Sequence, residues 1–310
     1  MQFLLVRSHS DIPVHVPVLG IEIPGNRGDI LARCTLGNID PQHGGSAASG
    51  RCAAEEAALS GAVYPSNTLL VCTRIDLDAV AAMAIIAGLA PTALSSRLAA
   101  IGQADSFLAG SWPGPQPLPT PDAPWLTHGT PEDRRDLAGP NWICGLAARG
   151  SIPLADAVER IARWLQGEDL PLPHEALTQR IASIDRARHL QTCLNGRVVY
   201  HDAIEHGPVG ASIAYCLAPV SVLRQRDPRG GFIRYTVAAS DAGRFDFAGL
   251  VADLTALEVA AAGDVAPADL QSLAWGGNVQ TGRIIGSPQG RDSLLTPAQV
   301  LECIERRLTF

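Results

Sequence analysis

The stretch VCTRIDLDAVAAMAI (residues 71–85) places two aspartates between an apolar, β-branched run and a run of small, helix-forming residues. Residues 68–73 predict a buried strand, and residues 78–89 predict a helix. Asp76 and Asp78 therefore lie where a strand gives way to a helix. Because ligands of parallel sheets bind beyond the carboxyl ends of the strands, this stretch indicates both a fold class and a candidate site.

Strands and helices alternate along the first part of the chain. Strands are predicted at residues 3–6, 30–36 and 68–73, and helices at residues 47–59, 78–89 and 95–101. Alternation of this kind is typical of a parallel sheet with helices on both faces. We therefore expect an α/β protein whose first domain holds a Rossmann-like parallel sheet.

The second part of the chain has a different pattern. Helices are predicted at residues 154–165 and 174–190, strands at 197–200, 211–216, 221–224 and 232–238, and further helices at 247–261 and 297–308. The turn dipeptide Asn195-Gly196 marks the change. We expect an α/β domain over residues 1–194 and a smaller α+β domain over residues 195–310. The first domain includes a Pro-rich loop at 112–125, which is a lid, a strap or a plain spacer.

The composition argues against several classes of protein. With 46% hydrophobic and 18% charged residues, the chain of 310 residues is too apolar to be disordered. Its net charge of −7 argues against a duplex nucleic-acid binder, and we expect neither a signal peptide nor a membrane span. Seven cysteines without a CxxC pair argue against structural zinc and favour free thiols in a reducing cytoplasm.

The aspartate pair has a spacing that suits a cation. Asp76 and Asp78 are two residues apart, which in an extended segment puts both side chains on one side. Two such carboxylates repel one another unless a cation or a proton intervenes, and hard divalent cations prefer oxygen ligands. The alternative is that Asp78 only caps the helix that follows it.

Two further stretches carry suitable ligands. LGNIDPQHGG (residues 36–45) offers Asp40 and His43 beside glycines that let the backbone approach a ligand, and IGQADSF offers Asp105 after a predicted helix. The first stretch can also be interpreted as a Pro-containing turn with a surface histidine. Together with the aspartate pair, these residues form a constellation suited to one or two divalent ions.

Four short motifs resemble those of the DHH phosphoesterase superfamily. CTRIDLDAVAAMAI is similar to its first motif, NIDPQHGG to a degenerate Asp-His-His motif, and GQADSF to the motif in which an aspartate follows a helix. WGGNVQTGRIIGSPQG (residues 275–290) is similar to the glycine-rich substrate loop of the DHH-associated domain. The resemblance implies a Rossmann-like domain that holds manganese (Mn²⁺) or another divalent cation, and a smaller domain that binds the substrate.

The resemblance also implies roles for individual residues. Asp76, Asp78, Asp105 and His43 would be metal ligands, and Asp40 would be a further ligand or a supporting acid. Asp78 and His43 would carry the catalysis, in which a water activated by the metal attacks phosphorus.

The chain departs from the superfamily pattern in three places. Arg74 stands near the position of a histidine that precedes the aspartate pair, the Asp-His-His-like stretch comes before the pair instead of after it, and Pro41 and Gln42 separate its Asp from its His. Arg74 is therefore a candidate phosphate-binding residue. The early RSHSD stretch offers His9 or Asp11 as substitute ligands.

Candidate substrate-binding residues lie in the second half of the chain. The glycine-rich loop can present backbone N–H groups and a guanidinium to an anion. Its candidates are Gly276, Gly277, Arg283 and Ser287. The alternative is a glycine-rich hairpin with solvent-facing arginines. Within HDAIEHGPVGASIAYC (residues 201–216), His206 and Ser212 are candidates for lining a cleft, or else surface residues before a strand.

These observations predict a metal-dependent hydrolase of phosphate esters, acting on a nucleotide or a small phosphorylated metabolite. The cation would lower the pKa of a bound water and polarise a phosphoryl oxygen. A homodimer is compatible with the composition. Two other classes stay open: a non-catalytic nucleotide- or anion-binding protein with a degenerate metal centre, and a hydrolase of a non-phosphate bond that uses the same cleft.

Overall fold

The structure is a computed structural model of the chain, and its contacts group the chain into two compact units. It describes residues 1–23, 27–40, 51–105, 112, 114–118, 131–227, 231–240, 245–263, 270, 272–278, 284–288 and 290–308. The first unit comprises Met1–Leu108 and Thr127–Ala176, and the second comprises Ala109–Leu126 and Leu177–Phe310. No helix within the described ranges has the length and apolar character needed to cross a membrane.

The first unit is built on a four-stranded parallel sheet. Its strands are β1 (Gln2–Leu5), β2 (Val18–Ile21), β3 (Asn38–Ile39) and β4 (Leu69–Cys72), in the order β1-β4-β2-β3. All residues of β2 and β4 are buried, as expected for central strands with helices on both faces. Because the four strands are parallel, their carboxyl ends lie at one edge of the sheet.

The described helices of the first unit are α1 (Gly28–Leu31), α2 (Ala53–Ser60), α3 (Leu77–Ile86), α4 (Ser96–Asp105), α5 (Pro131–Ala148) and α6 (Leu154–Leu165). A further helix, α7 (His174–Ala187), begins in the first unit and lies mostly in the second. Nine of the ten residues of α3 are buried, and its alanines let α2 and α6 pack closely against it. The start of α3 is thereby held in the core, next to the carboxyl end of β4.

The second unit has a mixed six-stranded sheet. Its strands are β5 (Thr192–Cys193), β6 (Val198–Asp202), β7 (Val220–Arg226), β8 (Ile233–Ala239), β9 (Gly276–Asn278) and β10 (Ile284–Gly286), in the order β5-β6-β7-β8-β10-β9. Only β6 and β7 pair in parallel among these described strands. The helices are α8 (Ala203–His206), α9 (Ala211–Ala214), α10 (Phe247–Ala262) and α11 (Pro297–Arg307). Apolar residues of α10 and α11 share one core with the central strands.

The α/β class with a parallel sheet and a second sheet is confirmed, but two predicted strands are wrong. The stretch at 30–36 forms α1 and turns, in which the Ala32 amide bonds to the Gly28 carbonyl at 3.0 Å. The stretch at 211–216 begins with α9, in which the Ala214 amide bonds to the Gly210 carbonyl at 3.1 Å. Short apolar runs have no periodicity that separates a strand from a buried helical turn.

The division between the two units falls at Ala176–Leu177, whereas the sequence predicts a domain boundary near residue 195. The difference corresponds to most of α7 and β5, which the contacts place with the second unit. The segment Ala109–Leu126 also groups with the second unit, although the sequence predicts it as a loop of the first domain.

Candidate metal centre

Acidic side chains follow three of the four parallel strands. Glu22 comes directly after β2, Asp40 directly after β3, and Asp76 and Asp78 come shortly after β4. Since the carboxyl ends of these strands lie at one edge, the topology gathers acids from distant parts of the chain. This edge is where parallel sheets bind ligands.

Three carboxylates converge at this edge. Glu22, Asp78 and Asp105 each offer one oxygen, and these oxygens all lie within 4.8 Å of one another. The structure thus brings together Asp78 and Asp105, which the sequence predicts as ligands, and adds Glu22, which sequence analysis missed. The signal for Glu22 was present, because VLGIE (residues 18–22) repeats the pattern of a buried run followed by an acid.

Asp78 is the most buried member, with 2% of its surface exposed. Its Oδ2 accepts a hydrogen bond from the Ala53 amide at 2.8 Å, and its Oδ1 accepts one from the Ala54 amide at 2.8 Å. Asp78 therefore caps the start of α2 from α3. Burial raises the pKa of Asp78, while these amides and the Cys52 side chain oppose the rise. An ionised carboxylate has about four acceptor positions, so Asp78 retains capacity for a further partner beside these contacts.

Asp76 has the capping role that the sequence left open for Asp78. Its Oδ1 accepts a hydrogen bond from the Ala79 amide at 3.0 Å, so Asp76 is the N-cap of α3. Its Oδ2 accepts one from Nε of Arg74 at 2.5 Å. The negative charge of Asp76 raises the pKa of Arg74. The Arg74 side chain is nevertheless 64% exposed, so this fixed cation can also contact a ligand.

Glu22 has an unusual backbone. Its φ is 51°, in the left-handed region that residues other than glycine rarely adopt. Its amide donates to the Ile39 carbonyl at 2.9 Å, which ties it to β3. Burial, followed by the charges of Asp78, Asp76 and Asp105, raises the pKa of Glu22 well above its usual value.

Asp105 is brought to the cluster by close packing of α4 on α2. A Cβ at Gly102, one turn before Asp105, would lie 2.5–2.7 Å from the carboxylate atoms of Glu55. That carboxylate accepts a hydrogen bond from the Cys52 amide at 3.1 Å, at the start of α2. Glycine at 102 therefore leaves the space that the Glu55 carboxylate occupies between the two helices.

The chemistry of these donors fits a divalent cation. Three ionised carboxylates whose oxygens lie within 4.8 Å of one another repel each other. The charges of Asp78, Asp76 and Asp105 add to burial in raising the pKa of Glu22. A hard cation relieves this repulsion and prefers oxygen ligands at 2–2.6 Å. Glu22, Asp78 and Asp105 are therefore the residues that would hold it.

Several other predicted site residues are not members of this cluster of three carboxylates. Asp40 is half-buried at the end of β3, while His43 and Arg283 lie outside the described residues, as does the side chain of Ser212. In the second unit, the His206 side chain is 65% exposed. Their roles in metal or substrate binding stay predictions.

The predicted glycine-loop residues have structural contacts within the second unit. Gly277 has φ 146°, and a Cβ there would lie 2.4 Å from the Ile284 carbonyl oxygen, so the hairpin of β9 and β10 requires glycine. A Cβ at Gly276 would meet no atom within 4 Å. Ser287 is buried, and its hydroxyl accepts a hydrogen bond from the Tyr235 amide at 3.0 Å. Substrate binding by these residues stays a prediction.

Comparison with known proteins gives little support for a family. No family model and no curated protein matches this chain. One similar solved structure is a pGpG-specific phosphodiesterase, PggH from Vibrio cholerae. It aligns over 94% of this chain and 97% of its own, with a TM-score of 0.41 and 9% identity. Similarity at this level says nothing of the reaction or the ligand of this chain.

Proposed function

We propose that the chain is a metal-dependent phosphoesterase of the DHH superfamily, acting on a nucleotide or a small phosphorylated metabolite. The observation that carries the proposal is the convergence of Glu22, Asp78 and Asp105 at the carboxyl edge of a parallel sheet. The exposed guanidinium of Arg74 adds a cation beside these acids. A divalent cation and an arginine together suit a phosphate group.

Each group of site residues has a separate proposed role. Glu22, Asp78 and Asp105 would hold a divalent cation such as Mn²⁺, which would supply Lewis acidity to a phosphoryl oxygen and to the attacking water. Arg74 would bind a phosphate oxygen, and Asp76 would orient Arg74 through the 2.5 Å hydrogen bond to its Nε. His43 is the proposed second catalytic group beside Asp78. Substrate contacts would come from Gly276, Gly277, Arg283, Ser287, His206 and Ser212.

The first experiment measures metal binding. We expect the wild-type chain to bind Mn²⁺ with one strong site in calorimetry, and Glu22→Gln or Asp105→Asn to weaken that binding at least about tenfold, because each removes one charged ligand. Matched controls are Glu159→Gln and Asp156→Asn, which remove exposed acids of α6 in the same unit. A wild-type chain that binds no divalent cation would contradict the proposal.

The second experiment measures the reaction. A panel of phosphodiesters, phosphomonoesters and amides, assayed with Mn²⁺ and with a chelator, should show chelator-sensitive activity on phosphate esters. Arg74→Gln should raise KM for the phosphate ester more than it lowers kcat, because the residue is proposed to bind phosphate. Binding of a nucleotide without turnover would favour a non-catalytic binding protein, and metal-independent turnover of an amide would favour a different hydrolase.

A further inference from the structure

The backbone at Glu22 needs support from its surroundings. A non-glycine residue with a φ of 51° carries a conformational cost, because its Cβ crowds the backbone. Such a residue persists only where neighbouring groups hold it in place. One contact is the hydrogen bond from the Glu22 amide to the Ile39 carbonyl, which follows the regular ladder between β2 and β3.

The next residue, Ile23, is held by a side chain. Nδ2 of Asn38 donates to the Ile23 carbonyl at 2.9 Å, and Oδ1 of Asn38 accepts from the Ile23 amide at 3.3 Å. The Asn38 amide therefore satisfies both backbone groups of Ile23. Residues 22 and 23 are thus both tied to β3, the first through the backbone and the second through Asn38.

The sheet leaves room for this contact by means of a glycine. Asn38 is the cross-strand partner of Gly20 in β2. A Cβ at Gly20 would lie 2.6 Å from Oδ1 of Asn38 and 2.8 Å from the side chain of Ile23. Both distances are too short for ordinary packing, so a side chain at position 20 would force the Asn38 amide and the Ile23 side chain to move.

We propose that Asn38, seated against Gly20, is the positioning residue that directs the Glu22 carboxylate toward Asp78 and Asp105. The inference rests on the proposed function, because it gives Asn38 a role in holding the cation ligands. Asn38 itself bonds to the backbone after Glu22, and its effect on the cation operates through the conformation of that backbone.

Metal affinity tests the inference. Asn38→Ala should weaken Mn²⁺ binding at least about tenfold, the size of effect typical for residues that orient a ligand. The matched control is Thr35→Ala. Oγ1 of Thr35 accepts a hydrogen bond from the Val18 amide at 3.1 Å, at the start of β2, whereas Asn38 contacts the backbone just after the end of β2. The control should lose stability by a similar amount and keep its Mn²⁺ affinity within about twofold.

A second variant tests the packing of Asn38 against Gly20. Gly20→Ala should weaken Mn²⁺ binding as Asn38→Ala does, because the new methyl group displaces the amide. The double variant should bind Mn²⁺ about as well as either single variant, since the two substitutions remove the same contact. Additive losses would contradict the inference, and so would unchanged affinity in Asn38→Ala alongside normal binding by the wild type.

A metal-free measurement separates this inference from the proposed function. Backbone chemical shifts and the three-bond amide coupling of Glu22 report its φ in the absence of a cation. We expect the left-handed signature in the wild type and in Thr35→Ala, and its loss in Asn38→Ala. A retained signature in Asn38→Ala overturns the inference, whereas a wild-type chain with the signature but without Mn²⁺ binding overturns only the proposed function.

Discussion

At the scale of single residues, His201 shows how burial fixes a charge state. It is 2% exposed in β6, and its Nε2 lies 2.6 Å from the Gly207 carbonyl, which can only accept, so Nε2 carries the proton. Nδ1 is buried without a hydrogen-bond partner among the described residues. Burial is the main cause that lowers the pKa of His201, and the charges of His206 and Arg186 add to it, while the hydrogen bond to Gly207 and the charge of Asp202 oppose it.

This lowered pKa predicts a pH dependence. The unfolded chain takes up a proton near pH 6.5 while the folded His201 resists it, so stability is fully present above that pH and is lost as the pH falls. Hydrogen exchange of β6 amides, corrected for intrinsic rates, should show opening that increases from pH 7.5 to 5.5. His201→Gln should reduce this dependence, and His206→Gln, a change at an exposed position, should retain it. Equal dependence in all three proteins would contradict the prediction.

At the scale of elements, the two aspartates after β4 stabilise different helices. Asp78 supplies both oxygens to the first amides of α2, whereas Asp76 supplies one oxygen to the first turn of α3. The contact from Asp78 is buried and joins two helices that pack on one another. Removing a buried partner leaves a donor unsatisfied, which costs more than removing a partly exposed cap.

The difference between these two contacts predicts that Asp78→Asn destabilises the first unit more than Asp76→Asn does. In a Glu22→Gln background, where carboxylate repulsion is reduced, Asp78→Asn should lower the free energy of unfolding of the first unit by about 1–3 kcal/mol. Asp76→Asn should cost about 1 kcal/mol or less, because asparagine also caps helices well. Urea denaturation without metal measures both variants, and an equal or larger loss for Asp76→Asn would rule out the assignment of Asp78 as the cap of α2.

At the scale of the whole molecule, the proposed cation is a ligand of the first unit. Its three acids all lie within Met1–Leu108. A ligand that binds only the folded state stabilises it by about 2.7 kcal/mol at 100 times its Kd. That stabilisation should therefore be concentrated in the unit that holds the site.

Hydrogen exchange with mass spectrometry checks this expectation. Mn²⁺ should slow exchange in peptides that contain β2, the start of α3 and the end of α4, and a chelator should reverse the effect. Peptides from β7 and β8 of the second unit should show little change. Glu22→Gln should abolish the protection, and protection confined to the second unit would place the cation elsewhere.

Much of the fold can be read from local patterns. The helix at Leu154–Leu165 has the predicted bounds, and the buried strand before Asp76 lies at Leu69–Cys72, within the predicted range. Periodicity and β-branched composition are properties of neighbouring residues, so the sequence displays them directly. α1 and α9 are predicted wrongly as strands, because local hydrogen bonds fold these short apolar runs into helical turns.

The sequence by itself determined that this protein has an α/β architecture and that acids follow its buried strands, because strand and helix periods are local. Only the tertiary structure decided which acids meet. Glu22 joins Asp78 and Asp105 because β2 lies beside β4 in the sheet and the start of α2 binds Asp78. Strand order and helix packing follow from contacts between distant residues, and spacing along the chain carries no record of them.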